Sequence, residues 1–208
     1  MKIKSVSQVK NRTGSFSVLF DDGSEIKVSA VQLADFGLYS GLELSDNEYA
    51  QLRKGVESSL SKSRAVRILG SRNLSAFEIE RRLIGKGEPE STARETVEWL
   101  ENIGAVNDAE YAAAIVKHYC AKGYGLARIR DELFRRGIPR DLWEDAFDEV
   151  DGMEEAAYRF LVNKMKGSRD KDSIRRAMDA LIRRGFSYEQ ARSAMNMYVE
   201  NLGNIEES

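Results

Sequence analysis

The first thirty positions alternate between two faces. Ile3, Ser5, Ser7 and Val9 lie at period two, followed by Phe16, Val18 and Phe20 and then by Ile26 and Val28. Gly14 and the run Asp21-Asp22-Gly23 punctuate these segments, so the pattern predicts a small β-meander with an Asp-Gly turn. The stretch 30–41 that follows has no clear period and ends in Tyr39-Ser40-Gly41. From Ser45 onward the period changes to 3.6 and stays there. Ser45 and Glu48 form a capping box, which predicts a long helix from that point to about Ser71. Ser75 with Glu78 repeats the signature, and Asn107 with Glu110 gives an Asx version of it. Pro89 and Pro139 suit first helical turns. Gly87, Gly104, Gly137 and Gly185 each close a periodic apolar run, as helix-ending glycines do.

Self-similarity organises the helical part. Leu83, Leu133 and Leu181 coincide when the chain is laid on itself, each four residues before Gly87, Gly137 or Gly185. A helix of about a dozen residues resumes after each glycine. Trp143 falls on Ala93 and Ala191, and Phe147 on Val97 and Met195, so core positions recur while their sizes vary. Helices are predicted over 52–71, 76–86 and 89–103, then 109–121, 126–136 and 139–149, then 153–166, 171–184 and 187–201. The fold class expected is mainly α: three tandem three-helix repeats in an elongated array, with a small N-terminal β-meander. The expected divisions are a β-rich segment, 1–44, and helical repeats at 45–106, 107–151 and 152–208.

Composition narrows the chemistry. The 208 residues carry 32 Lys and Arg against 34 Asp and Glu, a net charge of -2, which excludes a uniformly basic coat for a polyanion. The charges are nonetheless segregated. Residues 62–86 hold seven basic and two acidic side chains, and 117–136 hold six basic against Asp131 and Glu132. Residues 159–184 hold nine basic against three acidic, whereas 141–151 carry six acidic and no basic residues. One cysteine, Cys120, rules out an intramolecular disulfide framework and a cysteine-rich zinc site, and one histidine, His118, removes most metal sites that need imidazole. Neighbouring carboxylates such as Glu144-Asp145 have no base, nucleophile or metal beside them, so a hydrolytic site has little support. There is no signal-peptide pattern and no apolar run of about 18 residues to span a bilayer.

The stretch Lys122-Gly-Tyr-Gly125-Leu-Ala-Arg128-Ile-Arg130-Asp-Glu-Leu-Phe-Arg135-Arg136-Gly137-Ile138 resembles the central motif of the RecX regulatory proteins. Arg81-Arg-Leu83 and the run from Val97-Glu-Trp99 through Asn107-Asp-Ala-Glu-Tyr111 are similar to that family's first repeat and its junction with the second. The resemblance covers about residues 62–203, and the N-terminal β-segment resembles an extension found in some members. Leu126-Ala127 departs from the pattern, since a proline or a basic residue is usual after the Gly-Tyr-Gly. What the resemblance implies is three tandem three-helix repeats in a cytoplasmic, non-enzymatic modulator of the RecA recombinase. Such a protein lies in the groove of the RecA–DNA filament and suppresses strand exchange, ATP hydrolysis and co-protease activity. Some members also bind single- or double-stranded DNA. No catalytic residue, cofactor or metal is implied.

The residues add their own reading. Lys86, Arg136 and Arg184 directly precede helix-ending glycines, where a cation complements the helix terminus; a surface role is the alternative. Lys122, Arg128, Arg130, Arg175 and Arg176 lie at or near helix beginnings, where the dipole disfavours cations, so a surface role suits them better. Lys122-Gly-Tyr-Gly125 lacks the pattern of a phosphate loop, and its glycines fit an inter-helix turn with Tyr124 packed on the core. The candidate contact set is Lys122, Tyr124, Arg128, Arg130, Arg135 and Arg136, with Arg175, Arg176, Arg183 and Arg184 in the third repeat. The expected partner is the RecA nucleoprotein filament, met by a cytoplasmic monomer with no membrane attachment. Two other readings stay open: a stand-alone DNA-binding helical-repeat protein, and a scaffold with no DNA affinity.

Overall fold

A computed structural model describes residues 1–70, 72–148 and 152–206, with side chains to Asn201. Ser71 lies outside the described residues. So does 149–151, which the pattern assigns to the last helix of the second repeat and the boundary after it. The chain falls into two compact units, one formed by 1–72 with 82–99 and the other by 73–81 with 100–208.

In the first unit, β1 (Ile3–Gln8), β2 (Ser15–Phe20) and β3 (Glu25–Ser29) form an antiparallel sheet in the order β1-β2-β3. The predicted meander is present, with one change of phase. Ile3 pairs with Phe20 but Ser5 with Leu19, a bulge that places an extra residue in β1. Val6, rather than Ser5 or Ser7, therefore joins the buried side with Val18, Phe20 and Val28. The stretch 30–41 is not featureless either: α1 (Ala30–Asp35) opens on a capping box between Ser29 and Gln32. The predicted long helix is α2 (Asp46–Leu69), capped by Ser45 and Glu48. Its Leu52 and Val56 close the core under the sheet, where Tyr49 meets Phe20 edge-on at 5.1 Å.

The remaining helices follow the predicted order: α3 (Ala76–Ile84), α4 (Glu90–Asn102), α5 (Asp108–Ala121) and α6 (Leu126–Arg135). After α6 the chain makes a 3-10 turn (Arg140–Leu142) and α7 (Trp143–Asp148), then α8 (Met153–Met165), α9 (Lys171–Arg183) and α10 (Tyr188–Glu206). The predicted helix over 139–149 thus begins as a tighter turn, with Pro139 just ahead of it. Two apolar clusters of the second unit are of matching design. Ile115, Val116, Ile129, Leu133 and Ile138 fill one, with Trp143 and Phe147 packed beside them. Leu161, Ala177, Leu181, Phe186, Ala191 and Met195 fill the other. Leu133 and Leu181 are fully buried in equivalent places, as their shared register predicts.

Candidate functional site

The Lys122-Gly-Tyr-Gly125 segment turns the chain from α5 into α6. Gly123 takes a left-handed conformation (φ +72°), which a side chain would strain. Tyr124 is half-buried, its ring 5.5 Å from that of Tyr119 and its amide donating to the Tyr119 carbonyl. The segment is an inter-helix turn with its tyrosine on the core.

Gly125 has a different task. Its N–H donates to the carbonyl of Arg184 (2.9 Å), and the N–H of Ala127 donates to that of Gly185 (3.1 Å). A Cβ at Gly125 would stand 2.3 Å from the backbone of Gly185 and Phe186, so the two main chains touch with no room for a side chain. The start of α6 is thereby joined to the turn that ends α9. Arg184 completes the joint. Its guanidinium donates to the carbonyls of Lys122 (2.9 Å) and Gly123 (3.2 Å) and lies between the rings of Tyr124 (5.0 Å) and Phe160 (4.5 Å).

An equivalent joint stands one repeat earlier. The Ser75 hydroxyl, at the start of α3, donates to the carbonyl of Arg136, and the Phe77 ring covers Gly137 so closely that a Cβ there would overlap it. Arg136 donates to the Tyr111 hydroxyl, lies over its ring at 5.5 Å and donates to Glu132 at 2.8 Å. Glu132, only 7% exposed, also pairs with Arg135. Burial pushes its carboxyl up, but the bond and charge of Arg136, the charge of Arg135 and the Tyr119 hydroxyl outweigh it and hold the group below the ordinary carboxylate value. Asp108 accepts from the Ala76 N–H at the start of α3 (2.9 Å), and burial raises its carboxyl.

These joints sort the predicted contact residues. Arg136 and Arg184 are half-buried and committed to intramolecular partners, a stronger tie than a helix-terminus charge alone provides. Lys122, Arg128, Arg130, Arg135, Arg175, Arg176 and Arg183 are exposed. Arg130 lies over Phe147 at 5.7 Å, Arg175 is 3.9 Å from Asp172, and Arg176 donates to the Asp172 carbonyl. Lys122, Arg128 and Arg183 have no ion pair among the described residues. The joint brings Lys122, Tyr124, Arg128 and Arg184 together, with Arg183 next in the chain. Arg130 and Arg135 stand farther along α6, and Arg175 and Arg176 on the first half of α9. Sequence reasoning missed Glu132 as a buried carboxylate, although Arg135 and Arg136 at helical spacing were the signal for it. Among the described residues no group of His, Cys, Asp and Glu is placed to hold a metal, and no helix is long and apolar enough to cross a membrane.

Fold and site together define a helical-repeat protein whose glycine-centred joints fix cation-bearing helices at a surface. Comparison with known proteins names the family. A family model described as RecX, second three-helix domain, matches residues 107–146. The Regulatory protein RecX of Bacillus subtilis (strain 168) is 31% identical over 200 residues, covering 93% of this chain and 76% of the relative. That of Xanthomonas axonopodis pv. citri (strain 306) is 30% identical over 141 residues, 66% of this chain and 87% of the relative. A crystal structure of regulatory protein RecX has the same fold, with a TM-score of 0.75 at 21% identity over 94% of this chain and 98% of the other. The RecX of Lactobacillus salivarius matches with a TM-score of 0.62 at 20% identity, over 68% of this chain and 96% of the other. The chain belongs to the RecX family of regulatory proteins.

Proposed function

We propose that this protein binds the RecA nucleoprotein filament and lowers its recombinase, ATPase and co-protease activities, acting in DNA repair and recombination by binding rather than catalysis. One observation carries the reading beyond the family: α6 and α9 hold exposed cations on either side of a joint that fixes their spacing through main-chain bonds. A preset pair of basic helices suits a target that is itself regular and acidic, such as a filament of protein wound on DNA. In this reading the segments 45–106, 107–151 and 152–208 are successive contact units, and 1–44 is an appended one. The protein works as a cytoplasmic monomer, and DNA of either form adds phosphate contacts. Inhibition follows because the protein favours one filament state over another, and a ligand shifts an equilibrium only by that difference.

The test is a titration of RecA-dependent ATP hydrolysis on single-stranded DNA with substoichiometric amounts of this protein. Hydrolysis should fall at ratios well below one per RecA. No inhibition at any ratio refutes the proposal, and sequence-specific duplex binding without RecA would favour a stand-alone DNA-binding protein.

A further inference from the structure

Leu83, Leu133 and Leu181 are fully buried, and each is followed by a large apolar residue that is not. Ile84, Phe134 and Ile182 are 37%, 64% and 43% exposed. A single exposed apolar side chain needs no explanation. The same register position filled this way in every repeat does, because solvent alone would favour a polar residue there. In the second unit the surroundings also recur. Exposed Arg135 and Arg183 follow Phe134 and Ile182, and exposed Asp131 and Asp179 stand one turn before them. Cations predominate on both helices: Arg128, Arg130 and Arg135 on the exposed side of α6, and Lys171, Arg175, Arg176 and Arg183 on that of α9.

The residue types select the kind of partner. A base-stacking platform needs an aromatic face. Phe134 has one, but Ile182 and Ile84 at the same register do not, so the common property is apolar bulk. Apolar bulk flanked by arginine fits a pocket in a protein whose rim carries carboxylates. Repetition fits as well, since identical protomers present identical pockets.

We propose that Phe134 and Ile182 are protein-contact anchors, each entering an apolar pocket on an acidic partner surface while Arg135 and Arg183 meet the carboxylates of its rim. The inference rests on the filament reading above and assigns the protein–protein half of that contact. It leaves DNA affinity to the other cations.

The experiment uses the full chain with Phe134→Ser and Ile182→Ser combined. RecA ATPase inhibition, binding to labelled single-stranded DNA without RecA, sedimentation and thermal unfolding are measured side by side. Because both side chains are exposed, the unfolding midpoint should stay in place; if the double variant unfolds, the single variants carry the same test. The concentration for half-inhibition should rise by about tenfold or more, with DNA binding unchanged. Phe134→Leu with Ile182→Val, which keeps the bulk, should inhibit nearly as well as the parent. Unchanged inhibition by the folded serine variant overturns the proposal. An equal loss of DNA binding, or the break-up of a dimer, overturns it too by making these side chains nucleic-acid or self-association contacts. If the parent protein does not inhibit RecA, the filament reading itself fails, a result distinct from the failure of the anchors alone.

Discussion

Arginines that look alike in sequence divide once they are folded. Arg135 and Arg136 both reach Glu132, yet Arg135 stays in solvent while Arg136 turns inward to Tyr111. The charge of Glu132 therefore has a consequence that pH can expose. Its carboxyl is held below the unfolded value of about 4.3, so the ionised form stabilises the fold above that pH. The contribution is lost as pH falls through the folded value. Glu132→Gln should cost roughly 1–2 kcal/mol near pH 7, and the gap in urea midpoints should close as pH drops below about 4. A gap of constant size across pH would show that the charge is not what matters. None of this was legible from composition, in which Glu132 is one acidic residue in a basic stretch. Arg184 was partly legible. A cation before a helix-ending glycine has a structural reading beside a surface one, but its place against Tyr124 and Phe160 depends on residues 60 and 24 positions away in the sequence.

Elements were the most readable scale. Ser45, Asn107 and Asp170 cap α2, α5 and α9 with side-chain oxygens, and the first two carry plain signatures in the sequence. The box of Ser29 and Gln32 carried the same kind of signal, and α1 was missed because its apolar residues are too few to show a period. The β1 bulge was hidden for another reason: register depends on the partner strand, and the sequence of β1 alone shows only alternation. Glycine serves two needs here, conformational freedom and absence of bulk, and Gly137 and Gly185 meet both. Gly87 has φ +89° and open space around it, whereas Gly125 has ordinary backbone angles and another main chain where its Cβ would be. Gly87→Ala should cost about 1 kcal/mol through backbone strain. Gly125→Ala should cost about 3 kcal/mol by overpacking. Denaturant midpoints decide, and equal losses would mean that the Gly125 joint relaxes freely.

For the whole molecule the net charge of -2 hides a segregated distribution. Acidic residues gather in helices such as α7, and cations in α6 and α9, so opposite signs cancel in the total without cancelling in space. Attraction of an acidic partner acts over the Debye length, about 8 Å at physiological salt, and a patch satisfies that range where an average does not. Arg175, Arg176 and Arg183 changed together to Glu should weaken RecA inhibition by about tenfold or more at low salt, and the difference from the parent should shrink as salt rises. Arg184 is left out of this set because removing it would disturb the joint. Unchanged inhibition would remove α9 from the contact. The repeated register and the cation segregation were both legible in sequence. Which cations stay outward was not, because that depends on contacts between repeats.

One last consequence concerns sequence spacing. Ser75, Gly125 and Ser173 each stand eight residues before the buried Leu83, Leu133 and Leu181. Ser75 and Gly125 sit just ahead of their helices and receive the turn of the following repeat. Ser173 lies inside α9, which starts a turn earlier, and the Asp170 carboxylate holds its N–H at 2.8 Å. Hydrogen bonds from Ser168 and Ser173 keep that carboxyl well below the usual range, so the cap is charged. One register position thus serves a helix start in two repeats and a helix interior in the third, so equal sequence spacing does not carry equal duty.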